Sequence, residues 1–408
     1  MTASTCEAHA ASAEEVLALI RQCARPLATE SVSIDRALGR VLRAPVCAPE
    51  DQPPFDRSAM DGFALRLDDA GTHFRILDEI RAGDWKPRLL QPSECVRIAT
   101  GGALPGEGLQ VVMKEDALAV GGQVELLRRS AECHIRFRGE DAQQGQELVA
   151  AGAVLSPGAL ALLASVGHTQ PLVTRLPRVL HVATGNEIVP PDEAPAHGQI
   201  RDSNSMLVRA FLGQFGIEPR QLRVPEDEVV AKSEVRSSKS EGEGVDLLLL
   251  SGGASVGEHD FTRRLLEDIG WTILVSKTTT RPGKPLILAT RGAALAFGLP
   301  GNPLAHFVCL HLYVRAALDT FNGRPTEPPF RRGVLAAELT AGGNARETYW
   351  PAQCRVSDGA CALTPLRWSS SGDLTSLATA NALIRVFAGC GNLECGVPVE
   401  FISTTPSP

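Results

Sequence analysis

Ser251-Gly252-Gly253-Ala254-Ser255-Val256-Gly257-Glu258-His259-Asp260 joins the apolar run Val245–Leu250 to the amphipathic segment Phe261–Ile269, and its reading decides the fold class. An apolar run of that length reads as a strand buried on both faces, and the spacing after the loop is helical. Glycines at the junction let backbone N–H groups approach an anion, and the start of the helix adds partial positive charge. In an open α/β sheet the ligand crevice lies at the carboxyl ends of the strands. The loop matches neither the P-loop nor the dinucleotide fingerprint. Asp260 is either a helix cap or a metal-binding or proton-handling carboxylate beside a phosphate.

The same texture continues on both sides of this loop. Arg178–Ala183 is a short apolar run ending in Thr184-Gly185. Asn204–Gly216 has helical spacing, with Asp202 or Ser203 as cap. Trp271–Val275, Leu286–Ala289 and Ala294–Phe297 read as strands, and Leu304–Leu318 as a helix. Strands alternating with helices predict a mostly parallel sheet covered on both faces. Ala231–Gly244 is rich in Ser, Glu, Lys and Gly and reads as a surface segment.

Before Pro177 the pattern differs. Ser12-Ala13-Glu14-Glu15 has capping-box spacing and predicts a helix over 12–24. Ala44–Gln52 reads as an extended connection. Gly62–Leu65, Phe74–Leu77, Cys95–Ile98 and Val111–Met113, separated by Gly, Pro and Asp, predict a small β-rich module. Gly152–Gly167 carries a helix-like Ala/Leu segment. After Pro328, Val334–Leu339, Tyr349–Arg355, Ala360–Leu366, Ala382–Phe387 and Val397–Phe401 predict a C-terminal β-barrel or sandwich.

The 408 residues carry 40 Lys and Arg against 47 Asp and Glu, a net charge of −7, which argues against a sequence-independent nucleic-acid binder. An apolar share of 44% supports a sizeable core rather than disorder. No stretch has the roughly 18 apolar residues of a membrane span. Glu7, Glu14 and Glu15, with no basic region before an apolar run, predict no secretory signal. Ten scattered cysteines without a Cys-x-x-Cys pair fit a reducing cytoplasm better than disulfides or zinc.

Three clusters carry candidate chemistry. Thr184-Gly185-Asn186-Glu187 ends a strand; Glu187 is either a solvated loop residue or, with Asp227 and Asp260, part of an oxygen-rich Mg²⁺ site. Lys277, Arg281 and Pro282-Gly283-Lys284-Pro285 form a basic, proline-stiffened turn suited to a compact oxyanion. Gly298-Leu299-Pro300-Gly301-Asn302-Pro303 is a similarly stiff turn into a helix. Pro53-Pro54-Phe55-Asp56-Arg57-Ser58-Ala59-Met60-Asp61-Gly62-Phe63-Ala64 is dense in Pro, Asp and Gly. Arg97–Gly102 and Arg136–Asp141 are further polar clusters whose default reading is a turn.

Taken in order with Thr100-Gly101, Arg138-Gly139-Glu140-Asp141 and Ala380-Asn381, these segments resemble the MoeA family, the molybdopterin molybdenumtransferases related to the E domains of gephyrin and plant Cnx1. The resemblance spans nearly the whole chain. It implies a cytoplasmic homodimer of four-domain subunits: a discontinuous helical linking domain (12–50 and 147–176), a β-rich module (51–146), a MogA-like α/β domain (177–327) and a C-terminal β-barrel (328–408). It implies Mg²⁺, molybdate and adenylylated molybdopterin as reactants, with release of AMP, and a molybdopterin adenylyltransferase as a partner.

Residue by residue, the resemblance places Ser251, Gly252, Gly253, Ser255 and Gly257 around the nucleotide-phosphate end. Glu187, Asp227 and Asp260 hold Mg²⁺ or position the hydrolysed bond. Asp61 and Thr100 enter the cleft from the partner subunit. Lys277, Arg281, Lys284, Arg346 and Ser371 offset the charge of molybdate and pterin phosphate, and Arg138 and Pro285 add substrate contacts. Asn186 stands where the family often has Asp, and Arg281 where it often has Lys. Two rivals remain: the adenylyltransferase itself, which shares the α/β domain, and a non-catalytic gephyrin-like scaffold.

Overall fold

Ser12 opens α1 (Ala13–Cys23) as a capping box: Glu15 N–H donates to Ser12 Oγ at 3.2 Å and Ser12 N–H to Glu15 Oε2 at 2.7 Å. Its buried positions Ala13, Val16, Leu17 and Ile20 make one helical stripe. Burying Val16, Leu17 and Ile20 stabilises by about 1.5–3 kcal/mol each. This computed structural model describes residues 10–225, 233, 244–252, 258–324, 329–357 and 359–405. They form two compact units: the described residues up to Glu30, Gly39–Val41 and those from Val173 onward, and Ser31–Leu38 with Leu42–Leu172.

The second of these units is built on a six-stranded mixed sheet. Its strands are β1 (Gly62–Arg66), β2 (His73–Ile80), β3 (Glu94–Ile98), β4 (Leu109–Met113), β5 (Ala117–Val120) and β6 (Gln123–Leu126), in the order β4-β1-β3-β2-β6-β5. Side chains alternate between two apolar clusters. Ala64, Val96, Ile98 and Val111 face one, and Phe63, Leu65, Cys95 and Val112 the other. The helix expected in Gly152–Gly167 is α2 (Pro157–Ser165), capped by Ser156 Oγ with Pro157 at its first position.

In the first unit a six-stranded sheet comprises β7 (Val179–Thr184), β8 (Arg220–Val224), β9 (Leu247–Ser251), β10 (Thr272–Val275), β11 (Ile287–Arg291) and β12 (Ala294–Leu299), ordered β8-β7-β9-β12-β11-β10. The parallel expectation holds for β8, β7, β9 and β12. β11 runs antiparallel to both its neighbours, β12 and β10, because Gly292 and Ala293, which link it to β12, are too short for a crossover. Helices α3 (Asn204–Gly213), α4 (Glu258–Asp268) and α5 (Pro303–Cys309) follow β7, β9 and β12 in the chain.

The helix expected over Leu304–Leu318 is real but interrupted. α5 passes through a π-helical segment, Leu310–Val314, into α6 (Arg315–Asn322). All five residues of that segment are buried, and His311 packs edge-on against Phe211 at 5.0 Å. The C-terminal strands close a barrel: β13 (Arg331–Leu335), β14 (Thr348–Ser357), β15 (Ala360–Pro365), β16 (Ala382–Val386) and β17 (Pro398–Ser403), in the order β13-β15-β14-β16-β17. Among the described residues no helix is long and apolar enough to cross a membrane.

Candidate active site

From β7 the sheet grows in both directions, to β8 on one side and to β9 on the other. Such a reversal of strand order opens a crevice at the carboxyl ends. A cavity of about 340 Å³ occupies it, bordered by Thr184, Glu187, Asn204, Ser251, Gly252 and Asn302. Gly252 has φ +103°, and a Cβ there would lie 2.1 Å from the Thr184 carbonyl oxygen, so the turn after β9 admits only glycine. Gly185, at φ +138°, leaves room for the Glu187 carboxylate, whose oxygens lie 2.6 and 2.8 Å from where its Cβ would stand. Glu187 is exposed. Asp202 also borders the cavity but is committed: Ser205 N–H and Oγ–H donate to its two oxygens at 2.9 and 2.6 Å. Of the two cap residues expected for α3, Ser203 holds the cap position and Asp202, one residue earlier, bonds into the first turn.

Ser251, 3% exposed, lies between two fully buried imidazoles. Its Oγ is 2.6 Å from His181 Nε2 and 3.5 Å from His306 Nε2. Burial pushes the His181 pKa down to about 3, helped by repulsion from His306, and that of His306 down to about 4. Both rings are therefore neutral near pH 7.

A second cavity, of about 510 Å³, shares Asn302 with the first. Its charged lining residues are Arg281, Lys284 and Arg346, and no carboxylate belongs to the lining. None of the three is in an ion pair with a described carboxylate. Arg281 stacks on the Trp368 ring at 5.2 Å, and Trp368 meets Trp350 edge-on at 5.6 Å. Ser371 joins this wall to α5: Asn302 Nδ2 donates to Ser371 Oγ at 2.8 Å, and Leu304 N–H to its carbonyl at 3.0 Å. Uncompensated cations beside hydroxyl groups suit a compact oxyanion, and the indoles suit a flat ring.

In the other unit, Thr100 N–H and Oγ–H donate to Asp61 Oδ1 at 2.8 and 2.9 Å, and Lys114 Nζ donates to Oδ2 at 3.2 Å. The Thr100 backbone N–H, with that hydroxyl and the lysine, lowers the Asp61 pKa to about 2. Arg138 is occupied: Nε donates to Asp51 Oδ2 at 2.8 Å, and its backbone N–H to Asp56 Oδ1 at 2.7 Å.

The structure thus gathers Glu187, Ser251 and Gly252 in one cavity, and Arg281, Lys284, Pro285, Arg346 and Ser371 in the second. Asp61 and Thr100 form a bonded pair. Lys277 borders neither cavity; its carbonyl accepts from Ala11 N–H at 3.0 Å. Asp227, Gly253, Ser255, Gly257 and the Asp260 side chain lie outside the described residues. Asp260 lies within α4 as described, Glu258–Asp268. Sequence reasoning missed His181, His306, Asn204, Trp350 and Trp368. His181 is a polar residue inside an apolar strand and His306 one inside an apolar helix, and each taken singly reads as core.

Comparison with known proteins matches three stretches of the chain. Residues 11–167 match the family described as MoeA N-terminal region (domain I and II). Residues 181–320 match the probable molybdopterin binding domain, and 332–404 the MoeA C-terminal region (domain IV). A Staphylococcus aureus protein named molybdopterin molybdenumtransferase is 28% identical over 383 residues, covering 92% of this chain and 91% of its own. The Staphylococcus epidermidis protein of the same name is 29% identical over 386 residues, with the same coverage. A crystal structure of a molybdopterin biosynthesis MoeA protein from Pyrococcus horikoshii superposes with a TM-score of 0.77 at 25% identity, over 98% of this chain and 100% of that one.

Proposed function

The chain belongs to the MoeA family, and on that premise we propose that it is a molybdopterin molybdenumtransferase that inserts molybdenum from molybdate into adenylylated molybdopterin and releases AMP. The observation that carries this reading is the pair of adjoining cavities. One is lined by Arg281, Lys284 and Arg346 with no carboxylate, and the other lies at the strand ends, beside Gly252 and Glu187. The first has the charge to hold molybdate and the pterin phosphate. The second has the strand-end position where nucleotides bind in α/β sheets. Cleavage of the phosphate link between them is then mainly charge stabilisation by fixed cations and backbone donors.

Glu187, with Asp227 and Asp260, would hold Mg²⁺, which when bound neutralises charge on the scissile phosphates. The donor set fits a hard cation: the Glu187 carboxylate meets no hydrogen-bond donor among the described residues. No group of three potential ligands occurs among those residues, so the set is complete only with the other two aspartates. Asp61 and Thr100 act in this reading from a second copy of the chain, in a cytoplasmic homodimer whose subunits divide as 12–50 with 147–176, 51–146, 177–327 and 328–408. A molybdopterin adenylyltransferase delivers the adenylylated substrate.

The test combines purified protein, adenylylated molybdopterin, Mg²⁺ and molybdate. Molybdate-dependent AMP release is expected. Adenylylation of molybdopterin from ATP would identify the rival transferase, and absence of turnover with tight peptide binding would identify a scaffold.

A further inference from the structure

The hydrogens around Ser251 run in one direction. Gln221 Oε1 accepts from Arg209, at 2.6 Å from Nη2, and Gln221 Nε2 donates to the Ser205 carbonyl at 2.9 Å. These two contacts fix the amide, so the group facing His181 Nδ1 at 3.0 Å is a donor. His181 therefore accepts at Nδ1 and carries its proton on Nε2, which donates to Ser251 Oγ. At the other end His306 Nδ1 faces the Pro300 carbonyl at 3.0 Å and must be its donor. His306 Nε2 is then an acceptor, and the Ser251 hydroxyl proton points to it across 3.5 Å, the longest link of the series. The low pKa of each ring agrees with neutral tautomers.

With its proton committed inward, whatever Ser251 Oγ offers the cavity is a lone pair. A second residue of the same lining repeats this. Asn204 Nδ2 donates to the Gly301 carbonyl at 2.6 Å, and its Oδ1 is buried with no partner among the described residues. Ser251 from β9 and Asn204 from the start of α3, each with an acceptor oxygen left over, thus line one cavity.

We propose that this part of the strand-end cavity is an acceptor subsite that receives the ribose hydroxyls of the nucleotide, with His181 and His306 as positioning residues that hold Ser251 in its acceptor state. Phosphate oxygens, which accept and do not donate, gain nothing from these acceptors. The proposal rests on the nucleotide reading above and narrows it: Ser251 selects a hydroxyl donor rather than cradling phosphate.

Two measurements on the full-length protein test it. In histidine-labelled protein, imidazole ¹⁵N shifts should show His181 as the Nε2–H tautomer and His306 as the Nδ1–H tautomer; either one reversed overturns the relay. Equilibrium binding then compares AMP, its 2′-deoxy and 3′-deoxy analogues and inorganic phosphate. AMP should bind about tenfold better than one of the deoxy analogues, the worth of one good hydrogen bond. Ser251→Ala should bring that ratio close to one and leave phosphate affinity unchanged, Ser251→Thr should restore the ratio, and His306→Asn, which retains a donor near Pro300, should lower it. A lower phosphate affinity in Ser251→Ala with the ratio intact would overturn the proposal. Molybdate-dependent AMP release together with equal binding of AMP and both deoxy analogues would sink this inference and leave the proposed function standing. Failure of the wild type to bind any nucleotide would sink the proposed function and the ribose assignment together, the tautomers still deciding the relay.

Discussion

The two adjoining cavities are built by opposite means. Around Arg281, Lys284 and Arg346 the protein leaves cations uncompensated at a surface opening, so that cavity's affinity for an anion is mostly charge. At Ser251 the working groups are neutral donors and acceptors fixed by buried partners, although Glu187, Arg201 and Asp202 line the same cavity. The first design tolerates small displacements but is screened by salt; the second resists salt but depends on packing. Asn302 borders both.

The largest break should come from Gly252→Ala. A Cβ 2.1 Å from the Thr184 carbonyl, at φ +103°, forces the β9 turn to move. The cost should be about 3–5 kcal/mol, with nucleotide binding lost and oxyanion binding retained. A melting curve with molybdate titration separates the two effects. Next, Arg346→Ala should weaken molybdate binding about 30–100-fold, removing charge-assisted contacts of about 2–3 kcal/mol. Raising ionic strength should weaken molybdate binding and leave the preference for AMP over its deoxy analogues unchanged.

A pH series sharpens the comparison further. His181 and His306 have folded pKa values of about 3 and about 4, below the usual 6.5. The unfolded chain thus binds more protons as pH falls below 6.5. Their contribution to stability is fully present above about pH 6.5 and is lost as pH falls through the folded values. Each adds a slope of up to about 1.4 kcal/mol per pH unit. Urea midpoints between pH 7 and 5 should fall, and less steeply in His306→Gln; equal slopes would remove His306 from the explanation. Asp61, held to about pH 2 by Thr100 and Lys114, is ionised throughout that range and adds no slope to it. The smallest effect expected is for Trp368→Ala, where loss of stacking under Arg281 should cost about 1 kcal/mol, roughly fivefold in affinity for the pterin-bearing substrate.

What the sequence made legible was local or periodic. The capping box at Ser12, the short β-like runs of β1, β3 and β4 set off by Gly, Pro and Asp, and the glycine turn after β9 can all be read without a fold, because the cause lies within a few residues. The antiparallel turn of β11 into β12 was also available, in Gly292 between two apolar runs, but the alternation of strands and helices outweighed it. The basic turn and Glu187 were legible as chemistry. What escaped needs distant contacts: His181 and Ser251 are 70 residues apart, and Ser251 and His306 are 55 apart. No local pattern marks a histidine whose ring nitrogens are both satisfied. The π-helical segment escaped for the same reason, since its five residues are buried by tertiary packing and their spacing is compatible with an ordinary helix.

Locating molybdate by anomalous scattering in crystals of the protein tests the central claim most directly. A molybdenum peak among Arg281, Lys284 and Arg346, beside Ser371, is the predicted result. An empty cavity there, with molybdate bound on another face, would contradict it.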